Sequence, residues 1–115
     1  MRTKRERRRI KEFLSTFNLA GFTYYDGPEA IKNLEVGNLL ELELEEDNRY
    51  DPKAVMLWYG DFHLGYIPKA SNEIFYKLLR VGIPNIEVRI QQIDTNAHPE
   101  QQIQLVAHLV AIEKE

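Results

Sequence analysis

Leu40, Leu42 and Leu44 alternate with Glu41, Glu43 and Glu45, a pattern that no amphipathic helix can use. In a strand, successive side chains point to opposite faces, so three leucines enter a core while three carboxylates face water. Wound into a helix, the same six residues would scatter both types around the circumference. The stretch therefore fixes a half-buried strand, and the rest of the chain must supply its partners.

Those partners are readable on both sides. Ala54 to Tyr59 is an apolar and aromatic run that reads as a third strand, and the tight-turn dipeptide Gly60 Asp61 leads into a fourth from Phe62 to Ile67. Trp58 and Phe62, inside these apolar strands, are expected to fill the core. Upstream, a first strand is predicted from Phe17 to Tyr25, with Gly21 marking a bulge or a close approach. Tyr24 and Tyr25 then face opposite ways, which puts at least one in the core. Asp26 Gly27 Pro28 ends that strand as a turn, and Glu29 to Leu34 forms a single helical turn before Val36 Gly37.

Downstream, Pro68 Lys69 Ala70 Ser71 opens a helix that runs to about Arg80, with Ser71 as N-cap and Gly82 just past the end. Ile74, Leu78 and Leu79 stand at helical spacing within it. Ile86, Val88 and Ile90 alternate with Glu87 and Arg89 in a fifth strand, Asp94 to Gln101 is a loop, and Ile103, Leu105, Ala107 and Leu109 define a sixth. The expectation is a mainly β fold, a small six-stranded barrel of the OB or SH3-like kind, closed or nearly so. One α-helix lies between strands four and five, and a short helix lies at the amino terminus.

At 115 residues the chain suits one compact domain, and the absence of cysteine excludes structural disulfides and thiolate zinc sites. There is no apolar run of signal-peptide or membrane-spanning length, so no membrane association and a cytoplasmic location are expected. Arg2, Lys4, Arg5, Arg7, Arg8, Arg9 and Lys11 supply seven of the fifteen basic residues against the single acid Glu6. Residues 12–115 then hold eight bases and seventeen acids, a net −9. Residues 1–16 are read as a basic arm or helix and residues 17–115 as the barrel. The arm is either a phosphate-binding appendage or a solvated first helix docking Ile10, Phe13 and Leu14.

The connection from Glu46 to Val55 carries more chemistry than a hairpin needs. Asp47, Asn48 and Asp51 are turn formers, and Pro52 holds Asp51 extended. Asn48, Tyr50 and Asp51 set an amide, a ring and a carboxylate on one turn. Together with Gly21 Phe22 Thr23 Tyr24 Tyr25 and Gly65 Tyr66 Ile67 Pro68, the block Asn48-x-Tyr50-Asp51-x-x-Ala54-Val55 resembles the HIRAN domain family over about Asn18 to Val110.

That resemblance implies a modified OB-like barrel, found in front of helicase-like ATPases or alone in bacteria, that binds single-stranded DNA at a free 3′ end. It implies that Asp51 accepts from a terminal 3′-hydroxyl and that Tyr24 and Tyr50 stack on the last nucleotides. Asn48 would meet a base edge or sugar oxygen. Lys69, at the helix entrance, could neutralise a phosphate. Thr23 stands where end-binding members carry a basic residue, and Arg49 is the neighbour that could replace it. RNA as ligand and a helicase or nuclease as partner stay open, and a DNA repair or replication setting is what the family suggests.

Each role has a plainer alternative. Asp51 before Pro52 can simply bond its own backbone, and Lys69 can be a solvated lysine. His63, His98 and His108 are scattered, so no metal site, cofactor or catalytic residue is expected, and Asp47 with Asp51 lacks an accompanying base. The chain has no Gly-rich phosphate loop that could serve an ATPase. A nucleic-acid-binding module is the leading reading. The other class is a protein-interaction module that kept the barrel while its groove became acidic.

Overall fold

The computed structural model describes residues 9–112, without the side chain of Ile112. Six strands form one antiparallel sheet: β1 (Arg9–Asn18), β2 (Leu39–Leu44), β3 (Val55–Tyr59), β4 (Phe62–Tyr66), β5 (Ile86–Ile93) and β6 (Ile103–Ile112). Their spatial order is β1-β6-β5-β2-β3-β4. A four-residue helix α1 (Gly27–Ala30) follows β1, and α2 (Glu73–Arg80) joins β4 to β5.

The alternating strand behaves as its pattern demands. Leu40 is buried, Leu42 and Leu44 lie against the core opposite Leu57 and Val55, and Glu41 and Glu43 are exposed. On its other side β2 pairs with β5 only through Leu39 with Arg89 and Leu40 with Val88. Leu57 and Leu64 on one side of this short junction and Val88 and Leu105 on the other share one buried core.

The amino-terminal segment departs from expectation. Residues 9–16 are not a helix but part of β1, which pairs with β6 from Arg9 opposite Ile112 to Asn18 opposite Gln104. Ile10, Phe13 and Leu14 have helical spacing, yet Ile10 and Phe13 are 41% and 65% exposed, so no helical stripe is buried. The edge of β6 offers unpaired N–H and C=O groups, and filling that ladder outweighs a weak local pattern. A register shift between Phe13 and Ser15 then re-aims the strand so that Phe17 enters the core against Phe75, ring centroids 5.6 Å apart.

The first strand also ends earlier than expected. Gly21, at φ 78°, turns the chain into a 3-10 segment, Phe22–Tyr24, where a strand was predicted to continue to Tyr25. Phe22 fills the core while Tyr24 and Tyr25 are both exposed, so neither tyrosine is a core residue. This turn leaves β4 with a single bridge to the chain after β1: Ala20 N–H donates to Tyr66 O and Tyr66 N–H to Ala20 O, each at 2.9 Å. The sheet is therefore curled but not closed into a barrel.

Helix α2 starts at Glu73, and the N-cap position is Asn72 rather than Ser71, whose N–H instead closes a turn onto Pro68 O at 2.8 Å. Its end matches expectation. Gly82, at φ 80°, donates to Leu79 O and Ile83 to Leu78 O, the paired bonds of a Schellman ending. Phe75 is the buried residue of this helix, while Ile74 is exposed. Trp58 is not in the core either. It stands opposite Glu41 on the outward face and stacks on His63, centroids 5.0 Å apart.

Candidate nucleic-acid interface

The β2–β3 connection is held by its own side chains. Asn48 Oδ1 accepts from the N–H groups of Tyr50 and Asp51 at 2.8 and 2.9 Å, and Asn48 Nδ2 donates to Glu45 Oε1 at 2.6 Å. Short Asx side chains that bond the backbone two and three residues on replace a regular turn with a rigid one. Asp51 Oδ1 accepts from Lys53 N–H at 3.0 Å, and Asp51 Oδ2 from Asn72 Nδ2 at 2.8 Å. Between these anchors the Tyr50 ring projects into solvent, 91% exposed.

A facing wall comes from the turn after Gly21 and from β4. Tyr25 packs on His63 and Tyr66, with centroids 4.5 and 5.5 Å apart. His63 Nε2 lies 3.1 Å from Gly65 O, and since a carbonyl only accepts, that nitrogen carries the proton. Tyr66 hydroxyl donates to Glu45 Oε1 at 2.8 Å. Burial, reinforced by hydrogen bonding to Glu45 and Tyr25, pushes the Tyr66 phenol far above its ordinary range. Glu45 thus ties wall to loop through one oxygen. Between them lies an open cleft of about 420 Å³ lined by Tyr25, Glu45, Asp47, Asn48, Arg49, Tyr50 and Tyr66.

The HIRAN domain family model matches residues 13–110. The chain belongs to the HIRAN family. A crystal structure of a protein from Lactobacillus plantarum is similar, with a TM-score of 0.74 at 24% identity, covering 89% of this chain and 97% of that one. The crystal structure of the HIRAN domain of human HLTF gives a TM-score of 0.66 at 14% identity, covering 88% of this chain and 79% of that one. At these identities both show the fold alone. No curated protein matches the chain. HIRAN is a binding domain rather than a catalytic one, generally for DNA, which supports nucleic-acid binding.

In this HIRAN domain the expected residues divide into two groups. Asn48, Arg49 and Tyr50 line the cleft, and Tyr24, 82% exposed, stands next to the lining residue Tyr25. Asp51 and Lys69 do not line it. Asp51 turns toward the start of α2, half-buried, and Lys69 is exposed in the segment leading to that helix. Sequence reasoning missed Glu45, Tyr25 and Tyr66 as parts of the site, and Asn72 as the partner of Asp51. Tyr66 lay inside a quoted motif block, so its signal was present; Glu45 was concealed as one more outward carboxylate of an alternating strand.

Among the described residues no cluster of His, Asp and Glu is arranged to hold a metal ion. No described helix is long and apolar enough to cross a membrane.

Proposed function

We propose that this HIRAN domain binds single-stranded nucleic acid, DNA in the first instance, at a free 3′ end, in a repair or replication setting. The observation that carries the reading is the exposure of Tyr50 and Tyr24, 91% and 82%, the first on a loop whose backbone is fixed by side-chain bonds and the second next in sequence to the cleft residue Tyr25. Rings left so open do no packing, whereas each could stack a base for about 1 to 3 kcal/mol. Arg49 lines the same cleft and supplies a phosphate contact. Asn48 already donates one N–H to Glu45, so its second Nδ2–H is the group left for a base edge.

Asp51, which follows Tyr50 in the loop but turns toward α2 rather than into the cleft, is the acceptor for the terminal hydroxyl, so the strand would end beside the cleft and not within it. Each of its oxygens takes one internal bond and keeps a lone pair, whereas a 3′-phosphate would bring an anion against the carboxylate. Lys69 serves a phosphate on the α2 side.

Fluorescence anisotropy with one labelled strand ending in a 3′-hydroxyl or a 3′-phosphate tests this reading. The hydroxyl strand is expected to bind more tightly, and Tyr50→Ala to weaken it by about 5- to 150-fold, the equivalent of one lost stack. Equal affinities would overturn end recognition. Absence of binding to either strand would overturn the nucleic-acid reading and favour a protein partner for the outward face where Glu41 and Glu43 are exposed.

A further inference from the structure

Asn72 is the fully buried polar residue among the described residues, 2% exposed. It occupies the N-cap position of α2, where an asparagine ordinarily accepts from the N–H of the second or third helical residue. Here it makes no such bond. Its amide instead donates to Asp51 Oδ2 at 2.8 Å, across 21 positions of sequence. The adjacent residue repeats the connection on the surface, with Lys53 Nζ 2.6 Å from Glu73 Oε1. Two neighbouring residues of the helix entrance thus grip two residues of the loop.

The two ties differ in kind. Lys53 and Glu73 are both solvated, and such pairs constrain little because water competes for each partner. Asn72 is dry, and a lost partner there leaves a buried amide unsatisfied. The Asp51 carboxylate is held through both oxygens, Oδ1 by the local backbone and Oδ2 by this amide. Losing the second bond frees the group to rotate about its own side-chain torsions.

We propose that Asn72 is the positioning residue for end recognition, fixing the plane of the Asp51 carboxylate so that its remaining lone pairs meet a terminal hydroxyl. This rests on the end-binding reading above, and the experiment separates the two. The readout is the ratio of affinities for 3′-hydroxyl and 3′-phosphate strands, measured by anisotropy on the full chain. In Asn72→Ala the ratio is expected to fall by about tenfold, the loss of one hydrogen bond to a charged group. Asn72→Ser, which keeps a donor, is expected to recover part of it. Glu73→Gln, which removes only the solvated tie, is expected to leave it intact.

A merely structural Asn72 would lower the melting temperature and weaken both strands equally, with the ratio preserved, and that result overturns the proposal. A wild-type ratio of one overturns the end-binding reading itself, and the positioning role with it. Should Asn72→Ala not fold, Asn72→Ser decides: a ratio that falls below the wild-type value in the folded serine variant is the supporting result, because the shorter hydroxyl replaces the amide donor only in part. A wild-type ratio in a folded serine variant whose melting temperature has dropped overturns the proposal, because the amide then acts on stability alone.

Discussion

Three hydrogen bonds converge on the Asn48 amide, two from backbone N–H groups of the loop it belongs to and one to Glu45. Removing that amide releases Tyr50 and Asp51 together, because both are positioned through the same oxygen. Neutral bonds of this kind are worth about 1 kcal/mol each and one to a carboxylate about 1.5 to 3, so Asn48→Ala is expected to cost about 3.5 to 5 kcal/mol in urea denaturation. Partial exposure places the result toward the low end. A loss within experimental error of zero would mean the loop is held by its backbone alone. At this scale the site was legible wherever its bonds are local. Asn48, Tyr50 and Asp51 reach one another within three positions, so turn chemistry was sufficient to single them out. Asn72 was not legible, because nothing in Ser71 Asn72 Glu73 says that its amide faces a loop 21 residues upstream.

The bridge between β4 and the chain after β1 depends on one close approach. A Cβ on Gly65 would lie 2.2 Å from Ala20 O and 2.6 Å from Leu19 Cδ2, and its φ of 148° is one that L side chains rarely adopt. The bridge between Ala20 and Tyr66 exists because that position carries no side chain. Gly65→Ala is expected to destabilise the protein by about 1 to 3 kcal/mol from backbone strain. It should also speed amide hydrogen exchange at Ala20 and Tyr66 before other β4 amides; unchanged protection at those two would refute the account. Elements with strict alternation, β2, β5 and β6, were readable because period two has no helical equivalent. β1 was not, since its apolar residues fall at both spacings and a register shift scrambles the faces; only the open edge of β6 selects the strand. The closed barrel failed for a related reason. Gly21 reads as a bulge in sequence, but here it ends the strand that would have completed the ladder.

For the molecule as a whole, binding a polyanion conflicts with its charge. Residues 1–8 hold five bases and one acid, leaving residues 9–115 with ten bases against seventeen acids, a net −7. Part of that basic complement is already committed. Arg9, Lys11 and Arg89 all surround Glu87; burial pushes its carboxyl up, but the hydrogen bonds and charges of Arg9 and Arg89 hold it below its usual range. The cleft itself sets Arg49 beside Glu45 and Asp47. Counterion release by this body is therefore small, and the exposed rings would have to work against an unfavourable field. If strands bind as proposed, the bases of residues 1–8, which lie outside the described residues, are expected to add phosphate contacts to those of Arg49 and Lys69.

The clean truncation starts the chain at Arg9, since deletion to residue 11 would also remove partners of Glu87 and the first rungs of the β1–β6 ladder. Residues 9–115 are expected to keep the circular dichroism and melting temperature of the full chain while binding a labelled single strand more weakly. On single strands each lost phosphate contact lowers the slope of log affinity against log salt by about 0.7, so losing several contacts flattens the plot visibly. Stacking by Tyr24 and Tyr50 is insensitive to salt, so it would survive as the flat residual affinity. An unchanged slope would place the phosphate contacts back on Arg49 and Lys69, where single alanine substitutions would then reveal them.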